Sequence, residues 1–308
     1  MKKLGTALVV LVVAGLAAFW LITKPSVLPA SALADGYKPD LKNGETMFTI
    51  GGCAACHMTP AQTDRHKLGG GVALATASFG TFYAPNISPD TANGIGGWGE
   101  QQFVNAVMRG TGAHGEHLYP ALPYASYAKM KVEDVRDLYA YLKTLPAVAT
   151  PNKPHEIKFP FNIRLALGGW KFLYLDTKPF SPDAAKSAAW NRGAYLVEGP
   201  GHCAECHSPR DALGGIIPDR RFAGGIDAEG KGWVPNITPH ADGIKSWKAD
   251  DIASFLQSGL TPDADSVGGS MAEVIQNTSR LTDADRAAMG EYIASLPTRP
   301  GKAPPKKP

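Results

Sequence analysis

Cysteine is scarce in this chain of 308 residues: there are four, against 34 glycines and 25 prolines. Charge is also sparse. Charged residues make up 19% of the chain, the formal net charge is +3, and the one basic tract is the stretch from Lys302 to Lys307. Nucleic acid is therefore not an expected partner. A hydrophobic content of 44% excludes a disordered acidic or basic chain and is enough to bury a core. Glycine and proline imply many turns but stay short of low complexity. The length leaves room for two small domains.

Long apolar runs are missing too, except at the start. Met1-Lys2-Lys3 precedes the run Leu4–Ile22, with Trp20 near its far end. At about 1.5 Å per residue this run spans roughly 28 Å, close to a bilayer core. Lys2 and Lys3 favour the cytoplasmic side and send the rest of the chain outward. The alternative is a signal peptide cleaved near Ala32-x-Ala34, but the run exceeds the usual apolar segment of such signals, about 7–15 residues. An anchor in residues 1–35 is the preferred reading, and both readings export the chain.

What is present is a repeat. GETMFTIGGCAACH (44–57) is answered by GAYLVEGPGHCAECH (193–207), with Cys53 and Cys203 150 residues apart. Pro85-Asn86-Ile87-Ser88-Pro89 returns at the same offset as Pro235-Asn236-Ile237-Thr238-Pro239. Gly97-Trp98 answers Ser246-Trp247, and helical patterns follow at Gln101–Arg109 and Asp250–Ser258. Each half closes with a helix that ends in Leu-Pro, from Val132 and from Thr282. Asp134 and Asp285 lie in the first turns, where carboxylates favour the helix dipole. The expected organisation is two homologous domains at 36–148 and 185–298. A connector at 149–184, too rich in Pro, Phe and Trp to be a floppy tether, joins them, and a disordered tail occupies 299–308.

All four cysteines fall in Cys53-Ala-Ala-Cys56-His57 and Cys203-Ala-Glu-Cys206-His207. Two thiols one helical turn apart reach the two vinyl groups of one porphyrin, and the adjacent His lies under the iron. Zinc would leave both histidines unexplained, and a disulfide in each motif would be strained. Two covalent haem c groups are thus expected, each in a small all-α domain around its haem, behind an N-terminal transmembrane helix. Such domains bury too little apolar surface to fold well without the porphyrin.

Each iron also calls for a distal ligand, usually Met at high potential. Met271 lies 64 residues after His207 in a stretch expected to be a loop, which suits the role, whereas the corresponding place in the first half, 65 residues after His57, is Leu122. Met130, in the same stretch as Leu122, is the preferred substitute; His117, an open iron, His114 and Met108 are the alternatives. The expected iron ligands are therefore His57, Met130, His207 and Met271. Asn86 and Asn236 can bond backbone or propionate. Trp98 and Trp247 are expected to pack the haem pockets, and Tyr83, Tyr119 and Tyr124 to line their walls. Arg65, Arg109, Arg210, Arg220 and Arg221 are candidate propionate partners.

Six segments carry a family likeness: LGGGVAL (68–74), FGTFYAPNISPD (79–90), GIGGW (94–98), HLYPALPYASYAKM (117–130), HCAECHSPRDALGG (202–215) and VPNITPHADGI (234–244). Through them the chain resembles the cytochrome c subunits of membrane-bound bacterial dehydrogenases that oxidise alcohols, gluconate, aldehydes or nicotinate. The resemblance implies electron transfer from a dehydrogenase subunit toward quinone, an oxidase or another cytochrome; the N-terminal anchor puts the expected site at the inner membrane, with both domains in the periplasm. The expected role is that of an electron-transfer subunit of an oxidoreductase complex, with independent catalysis kept as a rival. The chain departs from the pattern in two ways: many such subunits carry three haems, and Leu122 replaces the Met of their Pro-Ala-Met-Pro-Tyr segment. Two rival expectations are a two-haem peroxidase or thiosulfate-oxidising enzyme, motivated by Leu122, and an anchored subunit of a terminal oxidase.

Overall fold

The computed structural model describes residues 2–301. Helix α1 (Lys2–Thr23) stands clear of the rest for most of its length, with its Leu, Val and Trp20 side chains exposed. Among the described residues it is the one helix long and apolar enough to cross a membrane.

Beyond it the chain builds the same helical frame twice. The first frame contains α2 (Leu41–Ile50), α3 (Cys53–His57), α4 (Glu100–Arg109), α5 (Tyr124–Tyr127) and α6 (Val132–Leu142). After the connector helix α7 (Ala166–Tyr174) come α8 (Ala188–Glu198), α9 (Ala204–His207), α10 (Ala249–Ser258), α11 (Ser270–Thr278) and α12 (Asp283–Ala294). Side-chain oxygens set the helix starts: Asp40 accepts from the amides of Lys42 and Asn43, Ser187 from Trp190 and Thr282 from Asp285, satisfying donors that an α-helix leaves unpaired.

In each frame the first helix crosses the last at a glycine. A Cβ on Gly44 would stand 2.2 Å from the Asp137 carbonyl oxygen, and one on Gly193 1.9 Å from that of Ala288. Only hydrogen fits there, so α2 seats directly on α6 and α8 on α12. Aromatic pairs flank the crossings: Phe48 and Tyr141 at 5.4 Å, Trp190 and Tyr292 at 5.1 Å between ring centroids. One apolar cluster, with Met47, Ile50, Leu138, Leu196, Met289 and Ile293 among its buried members, runs through both halves.

The expectation of an all-α fold needs correction. Strands β1 (Ala73–Thr76) and β2 (Gly80–Tyr83) pair antiparallel with Thr76 opposite Gly80, and β3 (Glu156–Ile157) adds to β2. The second half has a smaller ribbon, β4 (Gly225–Ile226) with β5 (Trp233–Val234). The loop after each haem motif has to return to the Pro-Asn turn, and a tight hairpin does this in few residues. Gly80, at φ +107°, takes a backbone that other residues avoid.

Strand β3 belongs to the 149–184 connector, which is bonded to both halves. Arg164 donates to the His117 carbonyl at 2.7 Å, the Trp170 indole to the Leu213 carbonyl at 3.0 Å and the Tyr174 hydroxyl to Asp211 at 2.7 Å. The C-terminal end also departs from expectation. Arg299–Gly301 is fastened: the Arg299 carbonyl accepts from Asn236, and the Gly301 amide donates to Asp242 at 2.8 Å. The remainder of the expected disordered tail, 302–308, lies outside the described residues.

Candidate haem-attachment sites

Each Cys-x-x-Cys-His segment is a single helical turn reached through a reversed backbone. Gly52 (φ +60°) precedes Cys53, and His202 (φ +38°) precedes Cys203. The two motif histidines are held alike. His57 Nδ1 lies 2.7 Å from the Pro85 carbonyl oxygen and His207 Nδ1 2.8 Å from that of Pro235. A carbonyl oxygen only accepts, so Nδ1 carries the proton and Nε2 keeps its lone pair for a metal. Burial lowers the pKa of both rings and favours the neutral imidazole that coordinates iron.

The proline carbonyls are themselves pinned. Asn86 accepts from the Ser88 amide at 2.9 Å and donates to the Val148 carbonyl at 2.6 Å. Asn236 accepts from the Thr238 amide at 2.8 Å and donates to the Arg299 carbonyl at 2.9 Å. Both asparagines thus hold backbone. The His57 and His207 carbonyls each accept from a glycine amide, Gly70 and Gly224, at 2.8 Å. A Cβ on Gly70 would meet the Ala84 carbonyl oxygen at 2.5 Å, so this cradle admits glycine alone.

The thiols fit covalent attachment. All four cysteines are unbridged. Burial pushes the Cys53 and Cys203 thiols up to about 12, so neither is a reactive thiolate. The two motifs face each other across the seam between the halves. Burial raises the Cys56 pKa, and proximity to Cys206 and Glu273 adds to it. The Gly51 carbonyl accepts from the Tyr127 hydroxyl at 3.2 Å, with His202 Nε2 at 3.3 Å.

The expected distal ligands part company. Matching backbone bonds bracket the segment before each closing helix, which holds α5 in the first half and α11 in the second: Leu118 N to Gly110 O answers Val267 N to Gly259 O, and Met130 N to Tyr127 O answers Leu281 N to Thr278 O. Between these brackets Leu122 and Met271 hold the matching place, and both are half-buried; Met271 lies on the first turn of α11 and not in the loop expected from sequence, because the chain turns helical directly after Gly268-Gly269. Met130 therefore occupies the place of Leu281. It is 1% exposed, belongs to the core and lies beside Gly199 at the end of α8. Met108 is likewise a buried core residue on α4. His114 is exposed. His117 is buried, with Lys171 lowering its pKa after the larger effect of burial, and its carbonyl is held by Arg164.

Three of the five candidate arginines bond protein side chains, and Arg109 donates to the Met108 carbonyl. Arg65 reaches across to α11, donating to Asn277 at 2.7 Å, Gln276 at 2.9 Å and Glu273 at 3.2 Å. Arg210 pairs with Glu205 and Arg221 with Glu198. His202, Tyr127 and Arg65 form the seam, and sequence reading did not single out the first two as contacts. The mismatch of His202 with Gly52 in the repeat was the available signal.

The cytochrome c family pattern matches residues 41–146 and again residues 191–297. The chain is a member of the cytochrome c family. This cytochrome is 44% identical over 303 residues to a "Diheme cytochrome c-type" protein of Cereibacter sphaeroides, covering 96% of this chain and 98% of that one. It is 38% identical over 282 residues to the fructose dehydrogenase cytochrome subunit of Gluconobacter japonicus (90% of this chain, 55% of the relative). It is 36% identical over 281 residues to the gluconate 2-dehydrogenase cytochrome c subunit of Pantoea cypripedii (87% and 63%). The chain thus spans nearly all of the first relative and about three-fifths of the other two. The cytochrome carries two covalently bound haem c groups, one per domain.

Proposed function

We propose that this dihaem cytochrome is anchored in the bacterial inner membrane by α1, faces the periplasm, and passes electrons from a dehydrogenase subunit to the respiratory chain through quinone, an oxidase or another cytochrome. The observation that carries the reading is the duplicated His–Pro carbonyl pair, which prepares two equivalent imidazoles for iron. Cys53 and Cys56 would hold one haem and Cys203 and Cys206 the other, with His57 and His207 as proximal ligands. The haems supply one-electron redox chemistry; the protein sets their potential through ligation and burial. The seam at Gly51, Tyr127 and His202 brings the two attachment motifs together, which favours transfer within one molecule.

In this reading Met271 would supply its sulfur to the second iron. The core position of Met130 supports a packing role for it, in place of the ligation expected from sequence, with Leu122 at the distal position of the first haem. The two haems then differ in ligation. The dehydrogenase assignment rests on the names of the relatives.

A tagged full-length chain purified from its native membranes tests the proposal. It should bring with it a dehydrogenase whose substrate reduces both haems. Copurification with a copper–haem oxidase and no dehydrogenase would overturn the donor assignment.

A further inference from the structure

The connector helix α7 has an apolar face that neither domain covers. Its sequence is ALGGWKFLY. Leu167 and Lys171 point into the protein and are buried, and the Lys171 ammonium donates to the Gly110 carbonyl at 2.6 Å. Leu165, Gly169, Phe172 and Leu173 share the opposite stripe, as residues four, seven and eight apart do on a helix. Along that stripe Leu165 is 53% exposed, Phe172 69% and Leu173 60%. Ile163 and Phe159, just before the helix, are exposed as well. Contiguous apolar exposure of this kind marks an interaction surface.

The position of α7 says what covers it. Gly168 is pressed against the last turn of α1: a Cβ there would stand 2.2 Å from the Thr23 carbonyl oxygen. Gly169, which lies on the exposed stripe, has the Phe19 ring 3.8 Å from its Cβ position. The stripe is thus continuous with the apolar surface of α1 at the level where that helix ends. Trp20 is exposed on α1 at the same level, and Lys24 and Arg164 are exposed beside the two helices. An aromatic and two cations at the end of an apolar helix form the usual interfacial belt. A helix with an exposed apolar face at that level can lie in the plane of the interface with that face in the lipid, while Leu167 and Lys171 fasten its other side to the protein.

We propose that α7 is a second membrane contact, with Leu165, Phe172 and Leu173 seated in the outer interface of the phospholipid bilayer. The inference rests on the anchor reading of α1. The seat would fix the height and tilt of both haem domains above the membrane, because α7 is bonded to the loop at Asp211–Leu213 of the second domain as well as to the first.

The test uses the full-length holoprotein in vesicles of phosphatidylcholine with phosphatidylglycerol, doped with a phospholipid that carries a photoreactive acyl chain. After irradiation, adducts are mapped by mass spectrometry. Peptides from α7 should carry adducts at about tenfold the yield of the 222–231 peptide, whose exposed Ile226 is a solvent-facing control. The double variant Phe172→Ser, Leu173→Ser should lose most α7 labelling while keeping its haem spectrum, which separates lost contact from lost fold. Labelling of α1 without labelling of α7 would overturn the inference and leave the anchor standing, and it would mean that the face is reserved for a protein partner. A mature chain lacking α1 would overturn the anchor, and the α7 yield would then decide the inference by itself.

Discussion

At the residue scale the two halves hold their motif histidines alike, and in the proposed ligation they differ on the distal side. Each proximal imidazole is oriented by a carbonyl on its Nδ1, and each carbonyl sits in a turn locked by an asparagine. The segments before the closing helices differ by one exchange of side chains. Met271 in the second half answers Leu122 in the first, while Met130 answers Leu281 in the core. Leucine offers iron no lone pair, so the first haem is expected to bind an external π-acceptor and the second to resist it. The reduced native protein should bind about one carbon monoxide per chain, Met130→Leu should also bind about one, and Met271→Ala about two. Spectral titration with carbon monoxide reads the number directly. A Met130→Leu protein that takes up a second equivalent would show Met130 to be a ligand.

At the element scale the helix crossings are the stiffest demand on the sequence. The contacts at Gly44 and Gly193 are with backbone carbonyls, which cannot rotate aside as a side chain could. Gly44→Ala should force α2 away from α6, and Gly193→Ala should force α8 away from α12. Each is expected to cost at least about 3 kcal/mol, the upper end of overpacking penalties. Thermal unfolding followed by circular dichroism would register this as a fall in Tm. A fall of only a degree or two would show that the crossings are looser than described. Gly97, whose nearest foreign atom stands 3.6 Å from a Cβ position, should accept alanine with little effect.

At the scale of the whole molecule the two domains are clasped by charge. Glu198 at the end of α8 meets Lys129 from the first domain at 3.0 Å, together with Arg221, and the Tyr292 hydroxyl donates to it at 2.7 Å. Burial works against its charge, yet Arg221 and Lys129 win and hold the carboxyl at about 2, below the ordinary 4.5. A depressed carboxylate stabilises the fold above its unfolded pKa, and that contribution is lost as pH falls through the folded one. The clasp should therefore be intact at pH 5 and fail between about pH 4 and pH 2, removing on the order of 3 kcal/mol. Glu198→Gln should flatten this part of the acid-unfolding curve, followed by the haem absorption. An unchanged curve would mean that other carboxylates govern acid stability.

Much of this was legible in the residues because attachment chemistry is local. The motifs Cys53–His57 and Cys203–His207 and the Pro-Asn turns need no distant partner to be recognised, and their common spacing announces duplication. The strands β1, β2 and β3 were not legible. They are short, and β3 comes from a connector that pairs with β2 from more than seventy residues away. Nor were the partners of three candidate arginines legible: Arg221, Arg210 and Arg65 meet Glu198, Glu205 and α11, since folding brings distant opposite charges to one guanidinium.

By itself the sequence determined the two haems, the two domains, the apolar N-terminal helix and the missing methionine at 122, because each is a pattern along the chain. Tertiary structure alone decided that Met130 belongs to the core, that the two attachment motifs meet at the Gly51 carbonyl, and that α7 lies against the end of α1. These are matters of which surfaces touch. A residue's neighbours across a fold are set by packing over the whole molecule, and spacing along the chain does not encode them.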